Sequence, residues 1–378
     1  MKIFGQVWEK GIFSTFFEAK KVSIDLVKQD FGCIFFGTLD KAEGKVEAFS
    51  IDLDLTLATA SNFVVGKNIL IGFLSEKNAI AHTSKIGSEV KGYLIYQKPF
   101  DQPVEVEPVV LLEGAKPDFL LKEYVKTVCE YNKVTKVSSP LRILRTSFEE
   151  LEKRIKEAVS NNCDALMTLY IEDEKALEHF VKQCAAHRLK PVVDLPFDLT
   201  ILNRLKNMNV EHFKIRFSKL DELQAARNLL KDSYIIADGI SWLGAVGKAD
   251  AILMRKPFVE LPEGDFLREL IVNALLNKAV RVYVEVDETD ETTLKIVNVL
   301  NYGLVFHTDA KQLPIVKLLN ISNIFEDFKV EYVDEHSKYG VFESKRGFVE
   351  EPKKIFLVKN TVLRENKRLF HFYSEGGT

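Results

Sequence analysis

Between residues 141 and 310 short apolar runs alternate with stretches of helical period, and that alternation admits few folds. The runs are LRILR (141–145), DALMTLYI (164–171), PVVDLPF (191–197), HFKIRF (212–217), YIIADGI (234–240), AILMRKP (251–257), VRVYVEV (280–286) and LVFHT (304–308). Between them lie amphipathic segments such as SFEELEKRIKEAVSNN, DEKALEHFVKQCAAH and DELQAARNLLK, several opened by Ser or Asp as helix N-caps are. Strand-like runs alternating with helical patterns predict βα units around a parallel sheet. The count predicts an α/β fold, a (β/α)8 TIM-type barrel, with an open doubly wound sheet as the alternative; the fifth helix must fit within SWLGAVGKA.

Residues 1–113 follow a different period. EAFSIDLDLTLATA places Phe49, Ile51, Leu53, Leu55 and Leu57 on one face and Ser50, Asp52, Asp54, Thr56 and Ala58 on the other, and Gly and Asn punctuate several further strand candidates. The expected organisation is therefore a small N-terminal all-β domain (1–113), a helical linker (114–140), the barrel (141–322) and a C-terminal β-rich extension (323–378). SIDLDLTL also resembles the aspartate motif of haloacid-dehalogenase phosphatases. There, however, the motif ends a parallel strand, whereas here the alternation runs on, so Asp52 and Asp54 read as a solvated strand face.

One run carries charge where a core strand should be apolar. Lys214 and Arg216 lie two apart in HFKIRF and so project to one face. In a barrel of this kind the chemistry sits at the C-terminal strand ends. Those ends here carry Arg145, Asp194, Lys214, Arg216, Asp238, Arg255, Lys256, Glu285, Asp287, His307 and Asp309. The convergence points to a mouth that holds a small anion on Lys214, Arg216 and Arg255, with Asp238 or His307 as general acid or base. The structural alternative is a salt-bridged interior layer. After the fifth run, Gly239 begins a turn whose N–H groups could meet phosphate oxygens, or is simply a tight connection that needs glycine.

Bulk properties narrow the partners. A net charge of −3 over 378 residues supplies no global field for polyanions, which disfavours nucleic acid; the basic and aromatic tail EEPKKIFLVKNTVLRENKRLFHFY alternates as an edge strand does. No apolar run is long enough to span a membrane, and the N-terminus lacks the apolar core of a signal peptide. The four cysteines, Cys33, Cys129, Cys163 and Cys184, show no metal spacing and read as reduced thiols, so a cytoplasmic location is expected.

The order LPFDLTILNRLKNMNVEHFKI, then IIADGIS, resembles the sialic-acid (N-acetylneuraminate) synthase family, which condenses phosphoenolpyruvate with an amino-sugar. Its TPFD-like strand end, FKI-type strand and STGMS strand occur in the same succession, and SFEELEKRIKEAVSNNCDALMTLYI and VRVYVEVDETDETTLKIVNVLNYGLVFHTD extend the likeness over about residues 141–310. The resemblance implies that Lys214 stands on the phosphoenolpyruvate-binding lysine, Gly239 and Ser241 on the phosphate-facing turn, and His307 on the last strand's histidine. The chain departs from the pattern at Met167, where the family has lysine, and at Arg255 and Glu288, where it has metal-binding and SDHT histidines. No metal is therefore expected and no cofactor is assigned. Two readings follow: a metal-independent carbon–carbon bond-forming enzyme with a sugar acceptor, or a silent barrel used as a ligand-binding or interaction scaffold. In either, the N-terminal β-domain is the expected site for a protein partner or a second copy.

Overall fold

The computed structural model describes residues 1–4, 6–9, 12–14, 22–29, 31–53, 56–60, 62–114, 117–254, 259–260, 276–286, 303–306 and, nearer the C-terminus, 328–332, 339–344, 349–351, 354–356 and 363–364. The chain divides into two compact units. One comprises Met1–Lys136, Ser241–Gly247 and Pro257–Glu263; the other comprises Val137–Ile240, Lys248–Lys256 and Gly264–Thr378. No helix among the described residues is long and apolar enough to cross a membrane.

The first unit is built on two antiparallel sheets. In one, Ala42–Asp52 lies between Glu89–Phe100 and the short strand Lys2–Ile3; in the other, Val109–Glu113 lies between Gly32–Leu39 and Ile69–Phe73. Phe49 of the first sheet meets Phe73 of the second with ring centroids 5.3 Å apart, so the alternating apolar faces interleave in one core. Gly92 makes room for this contact: a Cβ there would lie 2.1 Å from the Phe49 ring. The run EAFSIDLDLTLATA is two strands. Ala42–Asp52 stays in one sheet with Phe49, Ile51 and Leu53 buried and Asp52 exposed, while Thr56–Ala60 joins the other sheet. The helix Pro117–Tyr131 belongs to this unit as well. Tyr124 on it donates to the Phe73 carbonyl (2.6 Å), accepts from Asn62 (3.1 Å) and packs against Phe63.

In the second unit eight parallel strands close on themselves: β1 (Arg142–Arg145), β2 (Ala165–Leu169), β3 (Lys190–Pro196), β4 (His212–Arg216), β5 (Tyr234–Asp238), β6 (Ala251–Met254), β7 (Arg281–Val286) and β8 (Gly303–Phe306). Four helices follow the first four strands: α1 (Leu151–Ser160), α2 (Glu174–Ala186), α3 (Leu199–Asn207) and α4 (Leu220–Leu230). Asp173 caps α2 by accepting from the Lys175 and Ala176 N–H groups, and Asp198 caps α3 through Thr200 and Ile201. On α1, Leu151, Ile155 and Ala158 are buried at helical spacing.

This architecture corrects the expected (β/α)8 barrel preceded by a small all-β domain in two ways. Among the described residues, helices of ordinary length follow only four of the eight strands. The segment after β5 contributes a helix of four residues, Trp242–Ala245, which groups with the N-terminal unit, and the segment after β6 contributes the strand Val259–Glu260, which pairs with Thr56–Ala60 of that unit. The N-terminal unit is accordingly neither all-β nor confined to residues before the barrel, since it holds a 15-residue helix and two excursions from the barrel sequence. The physical reason lies in SWLGAVGKA, too short and glycine-rich to form a crossover helix that buries a face on the sheet.

Alternation sorts the barrel residues by depth. Leu141, Ile143, Ala165, Met167, Val192, Ile236, Ala251, Leu253, Tyr283 and Val305 form one buried cluster. Residues two further along β1, β3 and β7 continue the same face toward the C-terminal end, where the side chains turn from apolar to charged, and Lys214 of β4 stands level with Asp194 of β3.

Candidate functional site

Four charged side chains close a ring above the apolar cluster. Lys214 of β4 donates from Nζ to Asp194 Oδ2 of β3 (3.0 Å) and to Glu285 Oε2 of β7 (3.2 Å). Arg145, the last residue of β1, donates from Nη1 to Glu285 Oε1 (2.7 Å) and from Nη2 to Asp194 Oδ2. The pairing Asp194–Lys214 joins neighbouring strands in direct register, whereas Lys214–Glu285, Arg145–Glu285 and Arg145–Asp194 join strands that do not pair, so the ring is laced across the barrel interior.

Cations and carboxylates alternate around the ring, two of each. That arrangement explains how β4 carries a lysine inside. A buried ammonium is costly alone, and here it is flanked by two carboxylates that are themselves held by a guanidinium. The ring has an inner and an outer pair: the Lys214 and Asp194 side chains are 2% and 3% exposed, whereas those of Arg145 and Glu285 are 20% and 21% exposed. The outer pair presents a carboxylate acceptor beside a guanidinium donor at the open side.

Arg216 is the next residue on the same face of β4, about 7 Å further along the strand. Its side chain is 57% exposed, and its Nε faces Asp238 Oδ2 of β5 at 3.8 Å, an ion pair without a hydrogen bond. Asp238 itself is buried. Gly239 follows with φ +86°, and a Cβ there would stand 2.5 Å from the Phe217 carbonyl oxygen, so the backbone alone requires glycine at this turn. Ser241 belongs to the N-terminal unit. Its Oγ accepts from the Gly244 N–H at 3.0 Å and donates to Glu76, which also accepts from the Ala81 N–H. Arg255 and His307 lie outside the described residues.

The structure thus brings Lys214 together with Arg145, Asp194 and Glu285, and sets Arg216 beside Asp238. Arg145, Asp194 and Glu285 stand among the charged strand ends but outside the set Lys214, Arg216, Arg255, Asp238 and His307 to which the sequence points. A signal for Asp194 was present: it shares face and register with Lys214. Glu285 is 71 residues from Lys214 and 140 from Arg145, and only barrel closure makes them neighbours. Among the described residues no group of three His, Cys, Asp or Glu side chains converges as a metal site requires. The four cysteines are free thiols, two of them buried; burial pushes Cys163 and Cys184 up to about 12.

The opposite end of the barrel is polar in a different way. Tyr283 OH accepts from the Leu141 N–H (2.8 Å) and lies 3.0 Å from Tyr234 OH, which in turn bonds Ser138 Oγ (3.1 Å). Arg281 donates from Nε to the Ser138 carbonyl (2.8 Å), fastening the segment that enters β1. His212 stacks on Tyr234, and its Nδ1 is buried with no hydrogen-bond partner. Burial lowers its imidazole from 6.5 to about 4, with Lys190 adding to the effect and Asp250 opposing it.

No protein-family model and no curated protein sequence matches the chain. Among solved structures, the chain is similar to the α-N-acetylgalactosaminidase NagBb from Bifidobacterium bifidum in its GalNAc complex, with TM-score 0.56 and 8% identity over 98% of this chain and 94% of that one. It is also similar to the α-galactosidase TtGalA from Thermus thermophilus, with TM-score 0.49 and 8% identity over 78% of this chain and 92% of that one. The spore coat polysaccharide biosynthesis protein spsE from Bacillus subtilis matches at TM-score 0.34 and 16% identity over 47% of this chain and 63% of that one. At these identities the first likeness shows the fold alone, and the other two are too distant structurally to bear on the chemistry.

Proposed function

We propose that the barrel binds a carbohydrate, with Arg145 and Glu285 contacting its hydroxyl groups and Lys214 and Asp194 holding those two side chains in place. The observation that supports this reading is the closed, charge-balanced ring with its outer pair partly open to solvent. A sugar hydroxyl both donates and accepts. Two adjacent hydroxyls therefore match a carboxylate set beside a guanidinium, without any net charge on the site. A dianion such as phosphoenolpyruvate finds Lys214 already engaged by two carboxylates. The whole-chain likeness to an enzyme named for N-acetylgalactosamine is one of fold, and it guides only which sugars to test first.

Calorimetric titration and ligand-observed NMR with N-acetylgalactosamine, galactose and glucose test the reading. Saturable binding to at least one sugar is expected, weakened about tenfold or more by Glu285→Gln, which removes a charged acceptor. Absence of binding to all three, or binding indifferent to the Glu285 variant, refutes it. The narrower reading drawn from the resemblance, a phosphoenolpyruvate-type anion condensed with a sugar acceptor, has Arg216 in its favour as an exposed cation at the strand end. Phosphoenolpyruvate belongs in the same titration. Binding of that anion without any sugar would favour the narrower reading.

A further inference from the structure

The positions just above the ring are not uniform. Continuing the inward face by one more step on each strand reaches Leu169 on β2, Pro196 on β3, Arg216 on β4 and Asp238 on β5. Pro196 pairs in register with Arg216, and Arg216 with Asp238, so the last three form one row along the rim. Leu169 is 59% exposed, a large apolar side chain left open at the end of its strand, and Pro196 is exposed beside it. The rim is thus apolar on β2 and β3 and charged on β4 and β5.

Arg216 is the unusual member. Only its Nε faces Asp238, at a distance too long for a hydrogen bond, and among the described residues its two terminal nitrogens have no partner. A guanidinium offers those nitrogens as a rigid fork that fits a carboxylate with two parallel bonds. The neighbouring Asp238 offsets part of the positive charge, which suits a monoanion better than a dianion. The ring below, with no net charge, has no use for an anion but can hold hydroxyls.

Resting on the carbohydrate reading of the ring, we infer that the ligand is an acidic saccharide of the uronate kind, its carboxylate on the Arg216 fork and its hydroxyls on the Arg145–Glu285 edge. Asp238 lies on the Nε side of the guanidinium, away from its two terminal nitrogens.

Matched pairs separate this inference from the reading beneath it. Glucose and glucuronate, and galactose and galacturonate, are titrated calorimetrically into the wild type, Arg216→Gln and Glu285→Gln, with thermal melts to verify that each variant is folded. In at least one pair the uronate is expected to bind about tenfold or more tighter than its neutral partner, the scale of one charge-assisted contact. Arg216→Gln should bind that uronate no better than the neutral sugar, and Glu285→Gln should weaken both. Equal affinity within both pairs in the wild type, or a uronate preference that survives in Arg216→Gln, overturns the acidic-ligand inference and leaves the carbohydrate reading standing. Binding of none of the four overturns both.

Discussion

Replacing Lys214 by methionine removes the charge from the centre of the ring while keeping most of the volume of the side chain. The ammonium donates to Asp194 and Glu285, so its loss removes one of the two cations that these carboxylates meet in the ring. Asp194 is 3% exposed and cannot recover its lost partner from water. Removing one member of a buried ion pair costs about 3–5 kcal/mol. Glu285 is about one-fifth exposed and both carboxylates keep Arg145, so the lower end, about 3 kcal/mol, is expected. In a unit of this size that corresponds to a fall in Tm of about 6–12 °C. Asp194→Asn alone should also destabilise, because it leaves the buried Lys214 with Glu285 as its one carboxylate in the ring. The double variant restores the balance of charge, so it should be more stable than the sum of the two single losses predicts, by about 1–3 kcal/mol. Urea denaturation of the four proteins, followed by the fluorescence and circular dichroism of the barrel unit, closes the cycle. If the two losses add to within about 0.5 kcal/mol, the four residues are not energetically coupled, and the account of a ring in which each charge is retained by the others is wrong.

Two further outcomes concern the opposite end of the barrel. Tyr283→Phe deprives the buried Leu141 N–H of its acceptor and should cost about 1–3 kcal/mol in urea denaturation, with amide exchange at Leu141 accelerated; an unchanged exchange rate there would mean that the N–H has another partner. His212 is the expected source of part of the acid sensitivity. Its folded value of about 4 lies below the unfolded 6.5, so the unfolded chain takes up a proton first: its contribution is complete above about pH 6.5 and is lost as the pH falls toward 4. His212→Phe, which keeps a ring against Tyr234 and forfeits no bond at Nδ1, should flatten the decline of the urea midpoint between those values, and a slope equal to that of the wild type would exclude the histidine as its cause.

The positions of the eight barrel strands were legible because each is an apolar run bounded by turn residues, and α2 and α3 were legible from Asp173 and Asp198. The fold built from them was not. A count of runs assumes one helix per connection, and it cannot register that the segments after β5 and β6 leave to complete another unit, because Ser241 and Val259 find their partners at Glu76 and Ala60, far away in the chain. The same limit explains EAFSIDLDLTLATA, where one unbroken alternation supplies strands to two sheets: period 2 records which face is buried, not which sheet a residue joins.

At the mouth, the parity of Lys214 and Arg216 marked both as inward, and both are. Parity says nothing about what stands opposite. Read alone, two inward cations describe a receptor for an anion. With Asp194 supplied by the adjoining strand and Glu285 from across the barrel, Lys214 becomes one member of a neutral ring of four, whereas the terminal nitrogens of Arg216 have no partner among the described residues. A cation on a strand end is therefore evidence for a bound anion only after the carboxylates on every other strand of the barrel have been placed, since a closed barrel brings all eight strand ends within reach of one another. For this chain that step separates the two cations: the buried one is held within the ring, and the exposed one is the residue to which the acidic-ligand proposal assigns the carboxylate.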